Sequence, residues 1–380
     1  MMQKQGSDAT DLSLQDVYGN PILRSPANCY VVSKPGKYKF PLVYGNAIKN
    51  GQVNTAAFTN NGGSNSLDFV GINNVLISDN IYLPILDERY TPKVLKCDTE
   101  GVFDNLGIET EDDMQYLCFE VLDIPMTGAN GVLGASRADW ANIGGVIQSD
   151  AVHWSWHIWC WPHDLSPVEI TNQGGFKYNI MPVNLASKYD EDMVHIKNWY
   201  YQWGKKDPIL GPSSYNSSEL MTNYGGVDEI NYPSSKWDSL GSAVLFPWAN
   251  MWDTCWFGKS AYNLWDAACM STGVSDSETI KTVYDPWPVG WKVPNGNTFT
   301  GLSILSSANG IVKLGRYSGD TVGVGFPLSG CRNHSDGSLS SVGSYGYVWL
   351  SSANSQNRAY YLYFYSSNIH PRNYYYRAYG

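Results

Sequence analysis

GGVIQSDAVHWSWHIWCW (Gly144–Trp161) opens on a glycine pair and then alternates. With a period of two, Trp154, Trp156, Ile158 and Cys160 share one face, and His153, His157, Trp159 and Trp161 share the other. That period belongs to a β-strand. Upstream, NCYVVSKPGKYKFPLVYGNAI (Asn28–Ile48) reads as two short strands about a Pro35-Gly36 turn. Val31 and Val32 are β-branched there, and Tyr38 and Phe40 alternate with Lys37 and Lys39. Asn80–Ile85, Lys93–Cys97 and Tyr116–Leu122 are further strand candidates. Short strands parted by Gly, Asn and Asp clusters predict a β-sandwich over residues 25–165. Residues 1–24 read as a tail or attachment arm in front of it.

Downstream, residues 165–190 carry Pro167, Gly174-Gly175 and Pro182 and read as a linker or an irregular lead-in to a second domain. Residues 190–300 are rich in Trp, Gly, Pro and Asn. Only Thr298–Leu305 and part of Tyr262–Met270 look helical. Loop-rich chain of this kind must be held by buried aromatics whose polar atoms are satisfied. From Gly330 to Gly380 there is no Lys and a single acid, Asp336, while ten tyrosines fall between Tyr345 and Tyr379.

The totals fit this division. A chain of 380 residues exceeds one ordinary core, so two or three domains are expected. Only 16% of residues are charged, against 15 Trp and 27 Tyr, a balance that suits β-rich proteins and surfaces that bind by stacking and hydrogen bonding. The net charge of -10 argues against a nucleic-acid partner, because phosphate contacts need clustered Lys and Arg. No run approaches the ~18–20 apolar residues of a membrane helix, so no membrane insertion is expected. The opening residues lack the apolar run of a signal peptide, leaving either an upstream signal already removed or delivery to the outside as part of a virion. Seven scattered cysteines, without C-x-x-C or metal-ligand spacing, read as buried apolar residues.

Five motifs occur in order: WSWHIW (Trp154–Trp159), YYQWGKKDP (Tyr200–Pro208), NLWDAAC (Asn263–Cys269), YDPWPVGWKVP (Tyr284–Pro294) and GYVWLSSA (Gly346–Ala353). This series resembles the fimbrillin-like and major-paralogous-domain surface proteins of the Bacteroidales, over roughly residues 25–380. The resemblance implies a mainly β protein with an α+β part: an N-terminal Ig-like β-sandwich (25–165) and a loop-rich C-type lectin-like domain (166–380). Trp287 stands where members usually carry Cys, and members usually continue past Gly380 into a final strand with another Cys. The run from Gly330 to Gly380 also resembles the variable region of proteins diversified by diversity-generating retroelements. Randomising adenines in Asn codons yields Tyr, Ser, His, Asp, Arg, Gly and Cys, the types that crowd this segment. The family fold would display them on one solvent face of a rigid scaffold.

Tyr brings a large stiff surface with a polar tip, Asn and Ser adaptable donors and acceptors, and Arg a planar fork. In Ala359–Tyr365 alternation puts Leu362 and Phe364 toward a core with Tyr360, so Tyr361, Tyr363 and Tyr365 should point outward. Past Pro371, the run of three tyrosines cannot bury every ring. The expected ligand contacts are Asn354, Ser355, Asn357 and Arg358; Tyr361, Tyr365 and His370; and Arg372, Asn373, Tyr374, Tyr375, Tyr376 and Tyr379. Arg332, Asn333 and His334 form a second edge. Tyr347, Trp349, Tyr360 and Arg377 read as scaffold.

The expected partner is a protein or glycan on a cell surface, met from an extracellular, cell-surface or virion location. The alternative is a structural fimbrial or virion subunit that assembles through the same end. No catalytic residue, metal or cofactor is expected. After Asp336 no carboxylate remains to hold calcium at the C-terminal face, though an ion near Asp276–Glu278 stays open. His153 and His157, four apart, lack a third ligand and read as a packed, hydrogen-bonded pair. Glu109–Asp113 reads as a solvated turn and Lys205-Lys206-Asp207 as a structural one. Cys331 and His334 lie inside the apparent variable region, where randomisation would destroy a nucleophile pair. The copper-binding cysteine pair of formylglycine-generating enzymes, which share the lectin-like fold, is not found.

Overall fold

The computed structural model describes residues 8–60, 62–63, 65–71, 75–78, 80–137, 152–221, 230–233, 240–244, 247, 249–252, 254–255, 261–274, 276–316 and 323–380. Within these the protein is mainly β, and the one α-helix is the short Leu240–Val244. No helix among the described residues is long and apolar enough to cross a membrane.

The tryptophan run forms the strand Val152–Cys160; the residues before it in the run, 144–151, lie outside the described residues. It pairs antiparallel with Ala129–Arg137 and parallel with Cys29–Val32, and Tyr90–Cys97 completes a four-stranded sheet. A second four-stranded sheet is built from Thr10–Asp11, Gly36–Pro41, Met114–Val121 and Phe103–Glu111. The two expected strands about Pro35 therefore form, but they enter different sheets. Tyr30 of one stacks on Phe40 of the other at 5.0 Å, and Phe40 packs on Trp156 at 4.8 Å, so the sheets share a core. The Glu109–Asp113 segment is a hairpin end. Asp112 and Asp113 take φ of 48° and 64°, the left-handed pair that a two-residue loop between Glu111 and Met114 requires.

Val152–Cys160 is buried along its whole length. One face meets the facing sheet. The other is covered by chain that follows the strand in sequence: the Trp159 indole donates to the Ser187 carbonyl (2.9 Å), and Trp161, just past the strand, stacks on Tyr189 at 5.4 Å. A strand covered on both sides needs apolar residues at odd and even positions, which is why both faces of the run carry Trp. Ser155, on the covered face, donates to Asp207 (2.6 Å). Lys206 reaches the Ser155 carbonyl (2.9 Å) and Asp207, and lies 4.4 Å from the Trp154 ring. The KKDP turn is thus a buried clamp on the tryptophan strand.

Several expectations are corrected. Residues 10–24 are not a free arm, since Thr10–Asp11 pairs with Tyr38 and Lys39 and Leu12 is buried; residues 1–7 lie outside the described residues. Asn80–Ile85 forms no strand and contributes one bridge, Val43 to Tyr82. Residues 165–190 contain a hairpin, Val168–Thr171 with Lys177–Ile180, turned at Gly174-Gly175, where Gly175 has φ of 85°. Thr298–Leu305 is not helical. Three-residue turns close from Asn295, Asn297 and Phe299, Gly301 at φ 76° breaks the run, and Ser303–Ala308 continues as a strand. Tyr262–Met270 is held by the Asp266 carboxylate, which accepts from the Ala268 and Ile280 amides (3.0 and 2.8 Å) instead of leaving them to a helix.

The last third holds two three-stranded antiparallel sheets: Ser303–Ala308, Ile311–Gly315 and Val324–Pro327; and Gly346–Ala353, Arg358–Tyr365 and Asn368–Tyr376. Val312, Leu314 and Phe326 pack under Leu350, Leu362 and Phe364 as a core separate from that of the N-terminal sheets.

Candidate binding face

Register sorts the C-terminal sheet into two faces. Gly346 opposes Phe364 and Val348 opposes Leu362, and this side rests on the core. Tyr347 opposes Tyr363, and Trp349 opposes Tyr361, on the other side. Asn368–Tyr376 is one of the sheet's two edge strands. Its register slips between the Tyr361–Asn373 and Tyr363–His370 pairs, so Pro371 and Arg372 together face Leu362. A bulge on an edge strand tolerates a residue without an N–H, which fits Pro371.

The side away from the core is a continuous ring array. Trp349 meets Tyr361 (5.6 Å), Tyr361 meets Tyr347 (5.7 Å), and Tyr347 meets Tyr363 (5.4 Å). Tyr363 then contacts Tyr345 (5.5 Å), Tyr365 (6.0 Å) and His370 (5.4 Å). Offset and edge-on contacts at these separations are individually favourable and hold each ring in place. At the far end His334, Tyr376 and Tyr379 gather, with His334 at 4.8 and 4.9 Å from the two tyrosines and Tyr379 at 4.6 Å from Tyr375.

The expected contact residues fall into three groups. His370, Arg372, Tyr374 and Tyr375 are exposed, and Tyr365, Asn373, Tyr376 and Tyr379 are half-buried beside them, with His334 at the same end. Asn354, Ser355, Asn357 and Arg358 make the turn between the first two strands, where the Asn354 and Ser355 amides donate to the Arg358 carbonyl (3.0 and 3.1 Å). Asn333 is occupied as a turn former, its side chain accepting from the Ser335 amide (3.1 Å).

Two expectations are overturned. Arg332 is fully buried, donating to the Gly337 carbonyl and to the Leu210 carbonyl (3.2 Å), so it is framework. Tyr361 is on the expected face yet only 7% exposed, because Tyr347 and Trp349 crowd it. The tyrosine triplet also divides. Tyr374 and Tyr376 oppose Tyr360 and Arg358, while Tyr375 opposes Ala359 on the ring-array side. Arg358 lies 4.8 Å from the Tyr376 ring and donates to its hydroxyl (3.2 Å). Arg377 is fully buried, 4.3 Å from the Trp203 ring and donating to the Ser355 carbonyl (2.8 Å).

Under the ring array lies a cavity of about 240 Å³. Tyr347, Trp349, Tyr361, Tyr375 and Tyr379 wall one side, and Trp199, Trp265, Trp287 and Val293 the other. Among the described residues no charged side chain lines it. Tyr375, 42% exposed, brings it to the surface. Burial raises the Tyr347 and Tyr361 phenols above their usual range, so both stay neutral and polar only at the tip. Sequence reasoning missed this second wall, in which Trp199 directly precedes the YYQWGKKDP motif and Trp265, Trp287 and Val293 come from the NLWDAAC and YDPWPVGWKVP motifs. It also left Tyr345 and Tyr363 out of the contacts, although alternation had placed Tyr363 on this face.

No family model, no curated protein and no solved structure matches this chain. The face must therefore be read from its chemistry. Burial pushes the Cys331 thiol up to about 12, so it holds its proton at neutral pH and is a poor nucleophile. No group of three metal-ligating side chains occurs among the described residues. His157 is engaged on both nitrogens, by Asn130 (3.0 Å) and the Tyr201 hydroxyl (3.1 Å). His153 lies 2.8 Å from the Tyr90 hydroxyl. What remains is a platform of fixed rings with hydroxyls, amides and a guanidinium at its rim, an arrangement that can stack and hydrogen-bond.

Proposed function

We propose that the chain is an extracellular recognition protein, of the adhesin or receptor-binding type, that grips a protein or glycan on a cell surface. An Ig-like sandwich would serve as stalk and a C-type lectin-like unit as head, with a binding role and no catalysis. The observation that carries this reading is the contrast within one sheet. Its inner rings lock one another, while Tyr374, Tyr375, His370 and Arg372 at the edge stay exposed. Binding is cheaper when the groups that meet the ligand are already ordered, and Tyr gives much contact area for two torsions. Side chains on the edge strand can be exchanged without redesign of the backbone, the property a diversified binder needs.

The test is the triple variant Tyr374→Ala/Tyr375→Ala/Tyr376→Ala. Its thermal melt should stay close to that of the parent while retention on ligand-bearing cells is lost. A collapse of the melt would make the trio core and refute the reading; so would undiminished retention. The flanking DNA should also carry a reverse-transcriptase gene and a near-copy of the coding 3′ end that differs mainly at adenines.

A further inference from the structure

A second and larger cavity, about 410 Å³, opens between the Val168–Ile180 hairpin and the chain from Asp276 to Asn295. Its volume lies within the range of pockets that hold small organic ligands. The aromatic walls are Phe176, Tyr178, Trp287 and Trp291. Phe176 is 50% exposed at the mouth, a position that no packing demand explains. Lys281 fixes the loop carrying the two tryptophans by donating to the carbonyls of Trp287, Pro288 and Trp291 (2.6, 2.7 and 2.7 Å). The rings are therefore held in place before any ligand arrives.

The polar groups divide into those already used and those left over. Asp276 Oδ1 accepts from the Asn172 amide (2.7 Å) and the Tyr178 hydroxyl (3.2 Å). Asn172 is itself buried and oriented by the Phe176 amide, which donates to its side-chain oxygen (3.0 Å). Asp276 Oδ2 has no hydrogen-bond partner among the described residues, and neither does the side-chain amide of Asn184, which also borders the cavity. The two lysines there are engaged: Lys177 with Glu169 (2.7 Å), and Lys292 with the Thr279 carbonyl (2.7 Å) and Glu278 (3.5 Å). The free groups set among the fixed rings thus include a carboxylate oxygen of Asp276 and the amide of Asn184.

We propose that this cavity is a second binding site, for a neutral sugar ring of a glycan. The apolar C–H face of such a ring stacks on aromatic surface, and its adjacent hydroxyls donate to a carboxylate oxygen and exchange hydrogen bonds with an amide. An anion would meet Asp276 with no free cation to offset it. Asn184, Trp287, Pro294 and Val348 border both this cavity and the one beneath the tyrosine array. A glycan seated here would pass toward the tyrosine face, yet the site stands independently of the function proposed for that face.

Saturation-transfer NMR on the full chain, with the methyl glycosides of glucose, galactose and mannose at millimolar concentration, tests the proposal. Transfer to the ring C–H protons of at least one is expected. Phe176→Ala, at a half-exposed position that folding should tolerate, and Asp276→Asn should each weaken it by roughly tenfold, the loss of one stacking face or one charge-assisted hydrogen bond. Tyr374→Ala/Tyr375→Ala should leave it unchanged, which separates this site from the tyrosine face. Absence of transfer to all three glycosides overturns the proposal, as does transfer indifferent to both cavity variants. Binding of tetramethylammonium that Asp276→Asn abolishes, without glycoside binding, would assign the cavity to cations and overturn it equally.

Discussion

Along Val152–Cys160 every residue is buried; along Asn368–Tyr376 none is. Both strands are crowded with aromatic rings, so ring content alone does not set the outcome. What differs is the number of covered faces and the fate of the polar atoms. The tryptophan strand has chain on both sides, and three of its polar side chains meet internal partners: the Trp154 indole donates to Asn28 (3.1 Å), Trp159 to Ser187 and Ser155 to Asp207, whereas the buried Trp156 indole finds no partner among the described residues. The tyrosine edge has core on one side only, and the hydroxyls of Tyr360, Tyr365 and Tyr374 have no partner among the described residues. A donor that leaves water must find a partner or lose free energy, so indole suits a strand with fixed acceptors and phenol a surface that still meets water.

The sharpest way to break the comparison is to empty the buried side of it. Trp154→Ala should cost about 3–5 kcal/mol, because the ring touches Tyr44 (4.8 Å), Tyr284 (6.2 Å) and Lys206, and its loss leaves a cavity and an unpaired Asn28 oxygen. Urea unfolding measures it; a loss below about 1 kcal/mol would show that the strand is not the shared centre. A second comparison lies within the tyrosine sheet itself. Arg377→Ala should cost about 2–4 kcal/mol, because it strands the Ala261 and Ser355 carbonyls and uncovers Trp203. Arg358→Ala, half-exposed and over Tyr376, should cost less than about 1 kcal/mol. Equal losses for the two arginines would erase the distinction between framework and face.

How much of this was legible follows the same line. Period-two alternation located Cys29–Val32, Gly36–Pro41, Tyr90–Cys97 and Met114–Val121 to within a few residues, because strand faces are a local property. It could not foresee that Cys29–Val32 and Gly36–Pro41 enter different sheets, or that Thr10–Asp11 joins one by parallel pairing, since pairing is non-local. Gly174-Gly175 signalled an interruption, and only the neighbouring pairs Val168–Ile180 and Thr171–Lys177 make it a hairpin turn. At the candidate face, alternation gave the side on which Tyr361 lies but not the crowding by Tyr347 and Trp349. Arg332 looked like a contact by type alone; its carbonyl partner at Leu210 is 122 residues away.

Acid provides the next test, through the histidines of the tryptophan strand. Burial lowers His153 to about 4 and His157 to about 3, from an ordinary value near 6.5. The unfolded chain therefore binds protons that the folded chain refuses. Stability is whole above pH 6.5, falls as pH drops, and for His153 levels off below about 4. At pH 5 each histidine should cost about 2 kcal/mol relative to pH 7, read by urea unfolding at the two values. In His153→Gln about half of that loss should vanish. A loss unchanged by the substitution would place its source in other groups.

The smallest effect belongs to the exposed side. Tyr374→Ala removes a ring that is 45% exposed, has an unpartnered hydroxyl and meets Tyr360 only edge-on at 6.3 Å. Its change in stability should stay within about 0.5 kcal/mol by urea unfolding, the range of surface substitutions. Tyr361→Ala, two strand positions from a residue of the same type but sealed between Tyr347 and Trp349, should cost about 3 kcal/mol, the penalty of a buried aromatic truncation. If both cost the same, the sheet would be uniformly packed, its edge rings would be serving the fold, and the free phenols could not be held in reserve for a ligand.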